Sequence, residues 1–430
     1  MNNLNSGNPQ GMSGHPGSHP HGMGGHPGGH PGGGHPGGHP HGKGGHPGGM
    51  GGGPMSVDFN VNPFIVIWET TRACGLKCQH CRADAQFLPD PNELTHEEGI
   101  ALLDEIYEMG NPMVVFTGGD CMLRKDLFEL ADYGIKKGMR ISMSPSATPE
   151  VTEERMDKAK DVGISRWSFS IDGANAEVHD AFRGIEGTFD MTLEKIRYLN
   201  KIGISHQINT CISKNNIDQL EEMAELMKEL KTSVWYILLL VPTGRGQMNE
   251  CLTPVEHEKV FRWLYELSKT SPYDIKTTAG QHYRRVVHQQ KVREKLISGD
   301  EISFEDTKTK DMAHLVDGLK RAPKSVNDGV GFIFVSHTGE VMPSGFLPLV
   351  VGNVRDERLR DIYRNNQILK DLRSPDKYKG KCGICEFRYV CGGSRSRSYA
   401  VTGDYMESEP FCVYIPQALR EEKKSFLESV

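Results

Sequence analysis

The stretch Cys74-Gly-Leu-Lys-Cys78-Gln-His-Cys81 places three cysteines on one short segment with the spacing C-x3-C-x2-C. Iron–sulfur clusters are normally held by four cysteines. Three thiolates on one loop therefore predict a cubane cluster whose fourth iron has no protein ligand. A zinc loop is the alternative, with His80 as a possible fourth ligand. Structural zinc sites, however, favour C-x2-4-C with a second pair nearby, and no such pair follows.

The first 55 of the 430 residues differ in composition from the rest of the chain. They hold nine of the eighteen histidines in a background of glycine and proline, and HPGG recurs at His26, His30, His35 and His46. Because this segment has almost no apolar side chains to bury, we expect residues 1–55 to form a disordered tail. Clustered imidazoles bind divalent metals or haem iron, and a purely solvating tail is the alternative.

Charge, hydropathy and cysteine usage exclude several classes of protein. The net charge of −6 gives no electrostatic reason to expect nucleic acid binding. No apolar run approaches the roughly 18 residues that span a bilayer. Seven of the ten cysteines fall into two tight patterns, which in a cytosolic protein indicates metal binding rather than disulfides. We therefore expect a cytoplasmic metalloenzyme that binds neither nucleic acid nor a membrane.

Apolar runs alternate with charged, helix-like segments from about residue 62 onward. A helix is predicted from about Thr95 to Met109, because Thr95 and Glu98 have the spacing of a capping box. The predicted strands cover residues 64–68, 113–117, 140–144, 166–171, 206–212 and 234–240. Six alternating strand–helix units predict an α/β core over residues 56–275, with a parallel sheet and right-handed crossovers. Functional groups of such cores lie at the carboxyl ends of the strands, where the cysteine loop begins.

Residues 276–328 form a bridging segment in which the strand–helix repeat is predicted to break down, and residues 300–324 within it are polar. Basic and hydrogen-bonding side chains cluster near Arg284 and Arg285. A charge run of this kind is usually a solvated face. The functional alternative is a patch that binds an anionic substrate with several carboxylates.

A second module is predicted over residues 329–430. It opens with a hairpin around His337-Thr-Gly339, and a short helix follows near residues 359–365. Cys382, Cys385 and Cys391 then have the spacing C-x2-C-x5-C, and Cys412 follows after twenty residues. Four cysteines predict a second metal site, which is either an iron–sulfur cluster or a zinc site.

The three-cysteine loop, the turn Gly118-Gly119-Asp120 and the four-cysteine tail, in this order, resemble SPASM-type radical S-adenosylmethionine (SAM) enzymes across residues 60–416. The haem-biosynthesis branch, which includes SAM-dependent haem synthases, is most similar, and the stretches that carry this are 68–74, 118–120, 240–244, 378–385 and 392–400. The resemblance implies a partial (β/α)6 barrel followed by an auxiliary-cluster domain. It also implies two [4Fe-4S] clusters and SAM, which chelates the open iron of the first cluster.

The same resemblance implies roles for residues around the cysteine loop. His80 occupies the position of a residue that packs near the adenine of SAM. Gly118, Gly119 and Asp120 align with the segment that receives the SAM amino group, and a carboxylate is a natural partner for an ammonium. Ser170 and Arg183 align with groups that hold the SAM carboxylate and ribose. Cys121 stands where proline is usual, and we interpret it as a bystander. A thiol so near the cluster could alternatively be a ligand or a site of oxidation.

The second module departs from the full SPASM pattern at two positions. A full domain has seven cysteines for two auxiliary clusters, but Arg395 and Ser344 stand here where further cysteines are common. The four that remain match the ligand set of the outer auxiliary cluster. The departures leave the cofactor chemistry of the first site intact and put the substrate in question.

The activity that the resemblance implies is generation of a 5′-deoxyadenosyl radical for hydrogen abstraction. In a haem-synthase-like reaction, the propionates of Fe-coproporphyrin III become the vinyl groups of haem b. The auxiliary cluster would take up the released electron, and Arg284 and Arg285 would hold substrate carboxylates. A flavodoxin or ferredoxin would be the external electron donor. The alternatives are a peptide-modifying SPASM enzyme and a non-catalytic iron–sulfur or metal-handling protein.

Overall fold

Six parallel strands form where the sequence has apolar runs. A computed structural model describes residues 57–164, 166–303 and 326–420, so the predicted tail, residues 1–55, lies outside the described residues. The six strands are β1 (Ile65–Thr71), β2 (Met113–Gly118), β3 (Ile141–Met143), β4 (Arg166–Ser170), β5 (Ser205–Ile212) and β6 (Val234–Leu239). All six predicted strands are confirmed, with ends that differ by only a few residues.

Helices follow the strands and cover the sheet. The predicted capping box on α1 is confirmed, because the Thr95 hydroxyl accepts a bond from the Glu98 amide (3.2 Å) and the Glu98 carboxylate accepts one from the Thr95 amide (2.8 Å). The helices of this part are α1 (His96–Glu108), α2 (Leu127–Lys136), α3 (Glu153–Val162), α4 (Ala176–Arg183), α5 (Thr188–Ile202), α6 (Leu220–Glu229), α7 (Pro254–Ser268) and α8 (His282–Ser298).

The strand–helix repeat continues for one unit beyond the predicted six. Strand β7 (Asp274–Thr278) pairs in parallel with β6 and leads into α8. The prediction that the repeat breaks down near residue 275 is therefore wrong. All five residues of β7 are half-buried, because this strand forms an edge of the sheet and does not need the apolar run of a central strand. The polar stretch 304–325 lies outside the described residues.

Three further strands extend the sheet at its opposite edge. Strand β8 (Phe332–Val335) pairs in parallel with β1, then β9 (Glu340–Met342) and β10 (Gly352–Asn353) add antiparallel pairs. The sheet order is β10-β9-β8-β1-β2-β3-β4-β5-β6-β7. The predicted hairpin is thus present and hydrogen bonded to the first strand of the core. Within residues 326–420 the helices are α9 (Leu359–Asn365), α10 (Gln367–Leu372), α11 (Gly380–Gly383) and α12 (Arg395–Thr402).

The core lies along the sheet, where large aromatic side chains are fully enclosed. Trp68 on β1, Trp167 on β4 and Trp235 on β6 have no solvent exposure. Trp68 packs edge to face on Phe116, with 5.4 Å between ring centroids, a favoured aromatic geometry. Because the strands from β1 to β7 run in parallel, their carboxyl ends share one edge of the sheet and their following loops converge there.

No helix within residues 57–164, 166–303 and 326–420 is both long and apolar enough to cross a bilayer.

Candidate active site

The three-cysteine loop follows β1 directly and is fixed by backbone hydrogen bonds to neighbouring segments. The Cys74 amide donates to the Gln86 carbonyl (2.7 Å), and the Gln79 amide donates to the Phe182 carbonyl (3.0 Å) at the end of α4. Cys74 and Cys78 are buried, and Cys81 is half-buried. Burial raises the pKa of the Cys74 thiol to about 11, although the Leu76 amide donates to its sulfur at 3.3 Å. The three thiols thus lie together at the carboxyl edge of the sheet.

An open cavity of about 190 Å³ lies against these thiols. Its walls come from the ends of seven successive strands, β1 to β7, as the parallel topology requires. The cavity lining includes all three loop cysteines together with His80, Gly118, Gly119, Ser170 and Arg183. The structure therefore brings together most of the residues that the sequence assigned to one cofactor site.

The glycine pair at the end of β2 is required by close packing against the cysteine loop. The Gly119 amide donates to the Thr71 carbonyl (2.9 Å), and the Asp120 amide donates to the Ala73 carbonyl (2.7 Å). A Cβ atom on Gly119 would lie 2.3 Å from the Ala73 carbonyl oxygen, and one on Gly118 would lie 2.5 Å from the Thr71 carbonyl oxygen. No side chain fits at either position, so glycine is what allows this turn to support the loop.

Asp120 does not line the cavity, contrary to what its assigned role requires. Its carboxylate is fully buried and accepts hydrogen bonds from the Met122 amide (3.1 Å), the Ser146 amide (3.3 Å) and the Thr148 hydroxyl (2.6 Å). Burial raises its pKa to about 6. These contacts organise the turns after β2 and β3. The neighbouring Cys121 is also fully buried, in the hydrophobic core.

A buried ion pair stands beside Cys78. Asp172, just after β4, pairs with the Arg183 guanidinium and accepts a bond from the Cys211 amide (2.7 Å). Burial alone would lower the pKa of Arg183, but the Asp172 carboxylate outweighs it and the pKa is raised. Arg183 also approaches the Cys78 sulfur at 3.7 Å. The arginine assigned to a SAM carboxylate is thus already paired with Asp172 in this structure.

Asp172 also lines the cavity, and sequence reasoning gave it no role. The sequence feature that could have identified Asp172 is its position directly after a central strand of a parallel sheet, where functional side chains lie.

His80 faces the same ion pair as a neutral imidazole. Burial is the main cause that lowers its pKa to about 4. The ring packs on Phe182 with 4.8 Å between centroids, and its Nε2 atom lies 3.8 Å from the Asp172 carboxylate. Its buried Nδ1 atom has no hydrogen-bond partner within the described segments. An unpaired buried nitrogen beside three thiols and a cavity fits a site built to receive a further group.

The four C-terminal cysteines meet around a second, much smaller pocket. Cys382, Cys385, Cys391 and Cys412 line a space of about 30 Å³. The Glu409 amide donates to the Cys382 sulfur (3.3 Å), and the Gly393 amide donates to the Cys391 sulfur (3.4 Å). Burial raises the pKa of the Cys385 thiol to about 12. The two amide donors stabilise the thiolate form of Cys382 and Cys391, which is the form that binds a metal. The donor set fits a closed cluster with four protein ligands.

In the part of the chain that the structure describes, no three His, Cys, Asp or Glu side chains lie close enough together to share a single metal ion.

The two positions where cysteines are absent carry buried polar contacts instead. Arg395 is fully buried, donates to the Tyr405 and Glu407 carbonyls (3.2 and 2.7 Å) and approaches the Cys382 sulfur at 3.6 Å. The Ser344 hydroxyl donates to the buried carboxylate of Asp328. The Arg395 guanidinium therefore lies next to one of the four cysteines, Cys382. At the other position, after the hairpin strand β9, Ser344 is hydrogen bonded to Asp328.

Arg284 and Arg285 lie away from the barrel cavity. The Arg284 guanidinium donates to the carbonyls of Val390 (3.2 Å) and Val326 (2.7 Å). Arg285 pairs with Glu258 at 2.5 Å and borders the four-cysteine pocket. Both arginines lie on α8, whose face packs against the C-terminal segment. The structure does not bring them to the cavity where a substrate would meet the first cysteine site.

Comparison with known proteins agrees with this geometry. Residues 68–227 match the Radical SAM superfamily. The AdoMet-dependent heme synthase of Methanosarcina barkeri is 40% identical over 354 residues, which is 82% of this chain and 97% of that protein. The AdoMet-dependent heme synthase of Oleidesulfovibrio alaskensis is 39% identical over 82% of this chain and 88% of that protein. The Fe-coproporphyrin III synthase of M. barkeri is 30% identical over 81% of this chain and 87% of that protein.

Among solved structures, Streptococcus suis SuiB bound to S-adenosylmethionine superposes with a TM-score of 0.61 at 13% identity. The match covers 82% of this chain and 78% of SuiB. A likeness at this identity supports the fold alone. Taken with the sequence relatives, it agrees with the parallel α/β core and its cysteine loop. The chain therefore belongs to the radical SAM superfamily, in the group of AdoMet-dependent heme synthases and their relatives.

Proposed function

We propose that this chain is a radical SAM oxidoreductase of haem biosynthesis that converts the propionates of an iron porphyrin to vinyl groups, with Fe-coproporphyrin III as substrate and haem b as product. The observation that carries the proposal is 40% identity over nearly the full length of an AdoMet-dependent heme synthase, against 30% for the Fe-coproporphyrin III synthase. The open cavity at the cysteine loop supports it, because a substrate must reach that loop.

Radical SAM enzymes bind SAM and a [4Fe-4S] cluster, and Cys74, Cys78 and Cys81 would hold that cluster here. When bound, the two cofactors supply a 5′-deoxyadenosyl radical that abstracts a hydrogen atom from a substrate carbon. The chain contributes the cavity that surrounds this event. The Asp172–Arg183 pair fixes the wall beside Cys78, and the Gly118–Gly119 turn brings β2 against the loop.

The overall change at each propionate is loss of one hydrogen atom, one carbon dioxide and one electron, which leaves a vinyl group. We propose that Cys382, Cys385, Cys391 and Cys412 would hold an auxiliary [4Fe-4S] cluster, which would supply an acceptor for this electron. Residues 329–430 would then form a SPASM-type domain that follows the core with its seventh strand–helix unit, β7 and α8. The pocket of about 30 Å³ beside these cysteines leaves little room for a substrate, which suits a group that only exchanges electrons. A flavodoxin or ferredoxin is the proposed source of the electron that starts each cycle.

The direct test is turnover of Fe-coproporphyrin III by anaerobically reconstituted full-length protein with SAM and a low-potential reductant. We expect 5′-deoxyadenosine together with a porphyrin that carries vinyl groups, both measured by mass spectrometry. The control replaces Cys74, Cys78 and Cys81 by alanine. Cleavage of SAM without conversion of the porphyrin would contradict the haem assignment and retain the radical SAM assignment.

A further inference from the structure

The lining of the barrel cavity contains three arginines, and their guanidinium groups have different partners. Arg82 donates to the Glu69 carboxylate at 3.2 Å and stacks over Phe334 at 4.6 Å. Arg183 is paired with Asp172. Each of these two positive charges is thus neutralised by a carboxylate of the protein itself.

Arg245, on the loop after β6, is the exception. Its Nε and Nη2 atoms are buried and have no hydrogen-bond partner within residues 57–164, 166–303 and 326–420. The nearest acid is Asp84, at 4.0 Å from Nε, which is longer than a hydrogen bond. The side chain as a whole is 30% exposed and lines the cavity. Unpaired buried donors on a charged group are costly, so this guanidinium is placed to receive an acceptor that the described residues do not supply.

The position of Arg245 is fixed by its own backbone. Its amide donates to the Cys81 carbonyl at 3.0 Å. Gly244 before it has a φ of +58°, and a Cβ atom there would lie 2.4 Å from the same carbonyl oxygen. The loop after β6 is therefore held against the cysteine loop.

We propose that Arg245 binds a carboxylate of a ligand in the barrel cavity. A guanidinium suits this task because its planar fork can bind both oxygens of a carboxylate. The cavity lining within the described residues includes one acidic side chain, Asp172, and that group is already paired with Arg183. Because the described residues offer no free acid in this lining, we assign the carboxylate to a ligand, and the two sources are a porphyrin propionate and the carboxylate of SAM. The choice of porphyrin as a probe rests on the proposed function, whereas the assignment of Arg245 does not.

The test compares the parent, Arg245→Gln and Arg245→Lys as reconstituted full-length proteins. Arg197→Gln serves as the control, because the Arg197 side chain is 60% exposed and its replacement removes the same charge from the protein surface. Iron coproporphyrin III and its tetramethyl ester are titrated by Soret absorbance, and SAM binding is measured by equilibrium dialysis. Cluster content is matched by iron analysis before the comparison.

If a propionate is the ligand, Arg245→Gln weakens binding of the acid about 10- to 100-fold, since a hydrogen bond to a charged group is lost. Binding of the ester and of SAM is unchanged, and Arg245→Lys gives an intermediate loss. If the SAM carboxylate is the ligand, Arg245→Gln weakens SAM binding by the same factor. The affinities for the porphyrin acid and its ester are then the same in the parent and in the variant. Unchanged binding of both ligands would overturn the assignment. A parent that binds no iron porphyrin would instead contradict the proposed substrate, and the SAM measurement would still decide the role of Arg245.

Discussion

The three-cysteine loop and the four-cysteine segment surround their thiols with different amounts of space. Beside Cys74, Cys78 and Cys81 lies an open cavity of about 190 Å³ that is lined by three arginines. The four C-terminal cysteines line a pocket of only about 30 Å³. An open coordination position is useful only where a second molecule can reach it, whereas a cluster with four protein ligands needs no such access. The difference supports the proposal that a small molecule binds at the first site and that the second site only exchanges electrons.

Removal of the first site is expected to have the largest effect. With Cys74, Cys78 and Cys81 all replaced by alanine, one cluster and all SAM cleavage should be lost. Cys121, the nearest other thiol in sequence, is enclosed in the core and cannot replace a ligand. Iron analysis with electron paramagnetic resonance and 5′-deoxyadenosine assays would measure both. Continued formation of 5′-deoxyadenosine in this variant would contradict the account of the first site.

Replacement of Arg395 is expected to affect the second site alone. Arg395→Met leaves the Tyr405 and Glu407 carbonyls without their donor and removes the stacking over Tyr378 at 4.5 Å. Buried acceptors left unpaired cost about 1–3 kcal/mol each. Iron content should therefore fall toward that of one cluster, while SAM cleavage per remaining first cluster is retained. Arg360→Met, at a half-buried arginine of α9 that does not line the four-cysteine pocket, is the matched control. A parallel loss of SAM cleavage would show that the two sites are not independent.

Replacement of Asp120 is expected to have the smallest effect. An asparagine can still accept from the Met122 and Ser146 amides and can donate to the Thr148 hydroxyl. The affinity for SAM in Asp120→Asn should therefore stay within about threefold of the parent, since only a structural contact changes. A loss of about 10-fold or more with unchanged iron content would instead assign the carboxylate to the SAM ammonium.

Much of the fold could be predicted because each central strand is encoded by a short run of neighbouring residues. Central parallel strands are buried on both faces and therefore appear as continuous apolar runs, as in Val234–Leu239. Strand β7 was not predictable in this way, because Asp274–Thr278 is a half-exposed edge strand with polar residues. The cysteine loop was predictable from spacing alone, since its three cysteines are close neighbours in the chain.

The partners of the polar side chains depend on tertiary contacts that the sequence does not display. Asp120 follows the glycine turn directly, yet its carboxylate points to Thr148 rather than into the cavity. Arg284 and Arg285 have the charge of a substrate patch, but α8 directs them toward the C-terminal segment. The three cavity arginines have the same charge in the sequence, and only the fold shows that two of them are already paired.

The most direct test of the division between the two sites is the ratio of 5′-deoxyadenosine to vinyl product in Cys385→Ala. Hydrogen abstraction needs only the first cluster and SAM, so 5′-deoxyadenosine should still form in protein matched for first-cluster content. Vinyl product should fall far more steeply, because the released electron has no nearby acceptor. The account therefore predicts a ratio well above that of the parent. An unchanged ratio, with both products reduced together, would contradict the electron-acceptor role. The role of the four cysteines would then be purely structural.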